Sequence, residues 1–321
     1  MRDRPLVSIG IPTWNYGEYL GECIESVLAQ TYENIEVIIC DNASTDSTPE
    51  VVRRYEDPRI RYYRNEANIG LYPNWNLCLR YAKGKYFKIL QSDDKLSPNF
   101  IEECLDIFMS DSNVIMVVTS YVNINSNGIV YDPRRSYSHE VLYFSGSEKI
   151  ASFEKFSHVQ PTFNIYVRDL ALDVGGYQPE NAYSADFIFW CKMIPKGDVA
   201  YIDKPLAYQR IHDRQDRRKF DGSRFLEDWL CGIDFLVKYY GRSYVSCELK
   251  RKLASKWGEH FLWHGLKHLA YGNTAVLEKV VLTLKEHQVI RYALVRFIAD
   301  SPIYLTRYLY NKLRHKFGYK I

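Results

Sequence analysis

Along the first 120 residues, two hydrophobic rhythms alternate. Short continuous apolar runs, the mark of strands buried on both faces, are separated by stretches in which apolar residues return every three or four positions, the mark of amphipathic helices. Leu6 to Ile11 reads as a buried strand that Pro12 ends. Leu20, Cys23, Ile24, Val27 and Leu28 then fall on one helical face. Ile35 to Cys40 predicts a second strand, followed by the polar turn Asp41-Asn42-Ala43-Ser44-Thr45-Asp46. Ser47-x-x-Glu50, with Pro49 between, has the form of a capping box opening a second helix. Ile60 to Tyr63 predicts a third strand. Trp75, Cys78, Leu79 and Ala82 predict a third helix, closed by Gly84. Tyr86 to Leu90 predicts a fourth strand, running into Gln91-Ser92-Asp93-Asp94. Ile101, Cys104, Leu105 and Phe108 predict a fourth helix, and Val114 to Val118 a fifth strand.

Alternation of this kind predicts an α/β fold with a mostly parallel sheet flanked by helices. Ligands in such sheets bind outside the carboxyl ends of the strands. Here those ends carry Pro12-Thr13-Trp14-Asn15, Asp41-Asn42, Arg64-Asn65 and Asp93-Asp94, so these groups are expected to share one crevice. From about 128 to 200 the pattern is mixed, with one helix expected at about 185–194. From about 220 onward it reads as helical, with Tyr271-Gly272-Asn273 as the turn of a hairpin. The first strand is followed by neither G-x-G-x-x-G nor a Walker Gly-Lys-Ser/Thr, which argues against dinucleotide oxidoreductases and P-loop NTPases.

Composition narrows the partners. A formal charge of +3 over 321 residues gives no argument for nucleic acid. The seven cysteines are irregularly spaced with no C-x-x-C pair, the usage expected of free thiols in a reducing compartment. No secretory leader is visible at the start, and no run reaches the ~18 apolar residues that a bilayer span needs. These features lead to the expectation of a cytoplasmic protein. His260, His264 and His268 share a helical face, but their neighbours are largely apolar, and the reading preferred is a packed or surface helix without metal. Residues 289–321 mix apolar and aromatic positions with Arg291, Arg296, Arg307, Lys312, Arg314, Lys316 and Lys320. That tail fits either a helix on an anionic membrane surface or a helix packed on the rest of the chain.

The sharpest chemical feature is the acid pair Asp93-Asp94 at a strand end. Adjacent carboxylates repel, and a divalent cation relieves the repulsion. The alternative is that the pair caps the following helix.

Taken in order, these segments resemble the large inverting family-2 glycosyltransferases of the GT-A fold. Val7 to Asn15 resembles their opening strand, and Asp41 to Asp46 their second motif. Asn65-x-x-Asn68-Ile69-Gly70 through Tyr86 is similar to the stretch leading to their D-x-D element. Asp186 to Trp190 is similar to the segment with their catalytic base, and Gln209 to His212 to the segment closing the donor site. The resemblance covers about residues 5–215.

It implies a catalytic domain over 1–219, with a nucleotide-binding half at about 1–120 and an acceptor half at about 121–219, and a helical region over 220–321. It implies that Pro12, Thr13, Trp14 and Asn15 shape the nucleotide pocket, that Asp41 accepts a hydrogen bond from the base edge, and that Arg64, Asn68 and Gly70 lie near base and ribose. Asp93 would contact metal and ribose, Asp94 and His212 would add to a Mg²⁺ or Mn²⁺ site, and Asp186 would be the base. The donor would be a nucleotide sugar, UDP-linked, and the acceptor a glycan or lipid-linked hydroxyl. Two positions depart from the pattern: Gln91 stands where the first acid of D-x-D is usual, and Ala185 where a Glu often precedes the base. They motivate a second reading, a sugar-nucleotide-binding partner subunit without catalysis. A nucleotidyltransferase would want a Gly-rich basic loop after the first strand, which Pro12 to Gly17 does not supply.

Overall fold

The computed structural model describes residues 4–131, 137–145, 161–178 and 185–215, together with Gly232, Phe235 and Lys238, which are helical. The chain divides into two compact units, Met1–Arg218 and Lys219–Ile321. The predicted hairpin at Tyr271, the histidines at 260–268 and the basic tail lie outside the described residues.

The first half follows the expected alternation. Strand β1 (Val7–Thr13) leads to α1 (Gly17–Leu28), β2 (Ile35–Asp41) to α2 (Thr48–Val52), β3 (Ile60–Arg64) to α3 (Leu71–Tyr81), and β4 (Tyr86–Ile89) through the short β5 (Lys95–Leu96) to α4 (Phe100–Ser110). Then come β6 (Val114–Ile124), β7 (Val141–Phe144), β8 (Asn164–Val167), α5 (Arg168–Asp173), α6 (Ala185–Met193) and β9 (Asp198–Arg210). Every residue of β1 and β2 is buried, as strands covered on both faces require, whereas the edge strand β3 is only half-buried. At Gly10 a Cβ would sit 2.6 Å from the Cβ of Cys78, so α3 packs against β1 at a distance only glycine allows.

The sheet order is β3-β2-β1-β4-β8-β6-β9-β5, with β7 also on β9. Strands β3, β2, β1 and β4 are mutually parallel, as the helical crossovers demand. Beyond β4 the sheet becomes mixed. Strand β8 runs antiparallel to both β4 and β6, and β6 and β9 are parallel to each other. The GT-A type of α/β fold expected from sequence therefore stands, with an antiparallel strand inserted at its centre.

Two local expectations are corrected. Pro12 does not end β1, which runs on to Thr13 in register with Asp41. Gly10 O accepts from Leu90 N and Thr13 O from Asn42 N, so alternate residues face β4 and β2. Pro12 faces the β4 side, where that strand has already stopped, and its missing N–H breaks no ladder. The capping box is also not formed. The Ser47 side chain makes no cap hydrogen bond, and Asp46 takes its place: Oδ1 accepts from Thr48 N at 3.0 Å and Thr48 Oγ1 at 2.6 Å, while Oδ2 accepts from Gly17 N at 3.0 Å. One carboxylate thus ties the starts of α1 and α2 together.

Candidate functional site

The carboxyl ends of β1, β2 and β3 are level, with Thr13 opposite Asp41 and Asp41 opposite Arg64. The loops that follow are bound to one another. Asn15, with φ at 58°, donates its backbone N–H to Ser44 Oγ at 2.9 Å and accepts with Oδ1 from Thr45 N at 2.7 Å. Asparagine tolerates this left-handed conformation better than most residues. Asn42 Oδ1 accepts from Asn65 Nδ2 and Ile69 N, both at 2.9 Å, and its Nδ2 donates to Asn68 Oδ1 at 2.8 Å. Gly70, with φ at 91°, is placed by the same asparagine, whose Nδ2 donates to Gly70 O at 3.1 Å. These asparagines hold the path from β3 into α3. Asn68 and Arg64 are exposed, as is Trp14 at 44%. Pro12 and Thr13 are buried, and Thr13 Oγ1 has no partner among the described residues.

Asp41 is not exposed to the crevice as expected: its relative exposure is 0%. Its Oδ1 accepts from Ser44 N at 2.8 Å, its Oδ2 accepts from the Tyr62 hydroxyl at 2.6 Å, and Arg64 Nε stands 3.6 Å away. Burial and this carboxylate push the Tyr62 hydroxyl well above its ordinary range. Asp41 therefore fixes the turn at Ser44 and the side chain of Arg64.

The adjacent acids after β4 face opposite ways. Asp93, 7% exposed, accepts with Oδ2 from His212 Nε2 at 3.0 Å and Gln215 Nε2 at 3.3 Å. His212 Nδ1 accepts from Arg214 N at 3.3 Å, so the ring proton lies on Nε2 and points at Asp93. The imidazole is held by Tyr19, 4.8 Å between ring centroids, and edge-on by Tyr16 at 5.7 Å. Beside it lies a cleft of about 380 Å³, lined among others by Glu18, Asn125, Asp213 and Arg214.

Asp94 is corrected. At 1% exposure it turns into the protein, accepting with Oδ1 from Arg210 N at 2.8 Å and with Oδ2 from Thr162 Oγ1 at 2.7 Å. Burial and the neighbouring Asp93 push its carboxyl well above the usual range. With both oxygens engaged inside the protein, it is not placed to join Asp93 on a cation. Among the described residues no three His, Cys, Asp or Glu side chains cluster as they do in an all-protein metal cage.

Asp186 lies in the first turn of α6, as its second residue and not as its cap, and its Oδ1 accepts from Phe187 N at 2.8 Å. The rest of the helix is nearly all buried: Phe189 packs on Tyr166 and Tyr177, and Trp190 on Tyr166. After α6 the chain enters β9 at Asp198, opposite the first residue of β6. Asp173 closes α5 and pairs with Lys196 at 2.7 Å.

Sequence reasoning missed three groups here. Arg210 is a fully buried guanidinium, and Thr162 a buried hydroxyl under Asp94. Lys88 is fully buried on β4, donates to Thr162 O at 2.6 Å and lies over the Phe100 ring; burial pulls its ammonium down to about 7. Only Lys88 left a signal, a single charge inside an apolar strand. The five described cysteines, Cys23, Cys40, Cys78, Cys104 and Cys191, are free and buried, as expected of thiols used as small apolar groups. No described helix is long and apolar enough to cross a membrane.

Comparison with known proteins gives a consistent result. A chondroitin synthase of Escherichia coli is 31% identical over 209 residues, 64% of this chain and 29% of that protein. A hyaluronan synthase of Pasteurella multocida is 40% identical over 126 residues, 39% of this chain and 13% of that one. The chain thus spans less than a third of the length of either synthase. An uncharacterized glycosyltransferase of Rickettsia typhi is 30% identical over 221 residues, 66% of this chain and 65% of that protein. Among solved structures, TarS residues 1–349 of S. aureus in complex with UDP-GlcNAc superposes with a TM-score of 0.62 at 18% identity, over 92% of this chain and 88% of that one. A mannosyltransferase of Pyrobaculum calidifontis in complex with GDP-Man and Mn²⁺ gives 0.57 at 17%, over 98% and 85%. At such identities the likeness is one of fold. Residues 8–175, more than half of the sequence, match the model of glycosyl transferase family 2, and the chain belongs to that family.

Proposed function

We propose that this family-2 glycosyltransferase moves a sugar from a UDP-linked donor to a hydroxyl of a glycan or lipid-linked acceptor, with inversion at the anomeric carbon. The observation that carries the reading is the Asp93–His212 pair, two groups 119 residues apart that meet at 3.0 Å beside the loops of β1 to β3. The solved fold neighbours with bound UDP-GlcNAc and with GDP-Man and Mn²⁺ support it by analogy of fold.

One carboxylate and one imidazole are a donor set suited to Mg²⁺ or Mn²⁺ that arrives with a diphosphate, since such ions take one or two protein ligands and complete their shell with phosphate and water. Asp93 would hold the ion, and His212 would join it by turning its ring away from the Nε2–H to Asp93 and Arg214 N to Nδ1 contacts that it makes here. When bound, the ion supplies positive charge to a departing diphosphate. Among the chain's own groups, Trp14 and Arg64 offer exposed faces for the base, Asn15 and Asn42 keep the surrounding loops fixed, and the unpaired Thr13 hydroxyl can donate to a ligand. Asp41 serves the base through Ser44 and Arg64. Asp186 takes the proton from the acceptor hydroxyl as it attacks from the face opposite the leaving group. One carboxylate suffices for a single displacement. The unit over 1–218 carries this chemistry, and the region beyond it, with its basic tail, is assigned to the acceptor or to an anionic membrane surface.

Gln91 and Ala185 keep a second reading in play, a nucleotide-sugar-binding subunit without transfer. Calorimetry with UDP and UDP-sugars, with Mn²⁺ and with EDTA, tests the first. Binding that tightens with Mn²⁺ is expected. Equal affinity in EDTA would remove the ion from the mechanism, and no binding of any sugar nucleotide would end both readings. Binding without release of UDP in the presence of acceptors would favour the inert subunit.

A further inference from the structure

Among the described residues, Arg210 is the largest charged side chain buried completely, with a relative exposure of 0%. Its guanidinium is spent on four acceptors from three separate segments. Nε donates to Asp93 O at 2.8 Å, Nη1 to Asn125 O at 3.1 Å and Ser126 O at 2.9 Å, and Nη2 to Glu22 Oε2 at 3.0 Å. Its backbone N–H donates to Asp94 Oδ1 at 2.8 Å. The guanidinium carbon lies 4.8 Å from the centroid of the Tyr19 ring, the same ring that packs on His212. At Gly128, whose φ is 77°, a Cβ would come 3.8 Å from Nη1, so the turn closes directly over the guanidinium.

Burying a guanidinium is costly, and an apolar residue of similar size often serves stability as well or better. What an apolar residue cannot do is set the angle between several segments, which the planar fork of arginine does. One of the segments it joins carries Asp93, and its own carries His212. Arg210 grips the Asp93 main chain directly. It stands two residues before His212. It contacts the ring on which His212 rests. We infer that Arg210 is a positioning residue of the site: it fixes the turn bearing Asp93 relative to the end of β9 bearing His212, so that Asp93 Oδ2 and His212 Nε2 meet. It touches no reacting atom. The inference rests on the proposed role of the Asp93–His212 pair, and its test is chosen so that the two can fail separately.

The test replaces Arg210 by Lys, whose single ammonium keeps the charge but cannot reach all four acceptors, in the full chain with ¹⁵N-labelled histidine. The wild-type His212 ring is expected to show the two well-separated nitrogen shifts of one tautomer, with the proton on Nε2. In the folded variant these shifts should move toward a common average. UDP-sugar affinity in EDTA should stay within about threefold while the turnover number with Mn²⁺ falls by about ten- to a hundredfold, the range of a group that acts through another. Should Arg210→Lys not fold, Glu22→Gln carries the same readouts, since it keeps the guanidinium and removes its carboxylate anchor. Folded variants whose His212 shifts and turnover match wild type would overturn the inference. So would a loss of turnover that merely tracks the folded fraction with unchanged ring shifts. If wild type transfers no sugar from any donor, the glycosyl-transfer reading fails, and the ring shifts alone still decide whether Arg210 sets the pair.

Discussion

The carboxyl edge of the sheet is built in two different ways. Along β1, β2 and β3 it is held by neighbours that are close in sequence: Asp41 and Ser44 are three residues apart, Asn42 and Asn68 twenty-six, Asn15 and Thr45 thirty. Beyond β4 it is held by groups that come from far along the chain: Thr162 and Asp94 are 68 residues apart, Arg210 and Asp94 116, His212 and Asp93 119. The first part is a set of fixed loops around a buried acid. The second sets a buried acid, Asp93, against His212. On the proposed function, the first is a surface that holds the nucleotide and the second is the part that reacts.

The largest effect should come from the reacting side. Asp186→Asn keeps the size of the side chain but cannot take a proton, so transfer should fall by ~10²–10⁴ while nucleotide affinity changes by no more than a few-fold. Steady-state kinetics with saturating metal checks this, and transfer above about a tenth of wild type would move the base elsewhere.

On the holding side, Asp41→Ala should act on stability first. It strips partners from Ser44 N and the Tyr62 hydroxyl, a loss of about 1–3 kcal/mol in urea unfolding, accompanied by weaker nucleotide binding. A variant as stable as wild type would show that the buried carboxylate does not organise that edge.

Lys88, under the junction of the two parts, gives a pH signature. Its folded value of about 7 lies below the ordinary 10.5, so the folded protein binds fewer protons than the unfolded chain between those limits. The destabilisation it causes is complete below about 7 and is relieved as pH rises toward 10.5, by up to ~1.4 kcal/mol per pH unit. Urea midpoints of Lys88→Met measured at pH 7.5 and 9.5 should lack this rise. A slope equal to that of wild type would contradict the buried, uncharged amine.

The smallest change is expected at Trp14, which is 44% exposed. Trp14→Ala should leave stability within about 0.5 kcal/mol and weaken UDP binding several-fold. Unaltered affinity would take Trp14 out of the nucleotide pocket.

The same division explains what could be read from sequence. The βα units of the first half are local, and their periodicity predicted β1 to β4 and the helices between them to within a few residues, though not the two-residue β5 or the last six residues of β6, together with the clustering of Asn15, Asp41, Arg64 and Asn68 on one edge. The exchange of Ser47 for Asp46 as cap depends on the approach of Gly17, which no local pattern encodes. Asp93 and Asp94 look equivalent in sequence. They part because Thr162 and the backbone of Arg210 reach one of them and His212 the other. Strand β8, whose Asn164–Val167 is only four residues long, and the buried Arg210 carry no periodic signature, so neither the antiparallel insertion nor the guanidinium anchor was legible.

The central claim is transfer by a single displacement from a nucleotide sugar. The most direct test follows the anomeric proton by NMR in the first minutes after adding an α-linked UDP-sugar and Mn²⁺, with acceptor where one is found and with water otherwise. The account predicts that the first product formed is the β-anomer and that Asp186→Asn abolishes its formation. A first-formed α-anomer would contradict it.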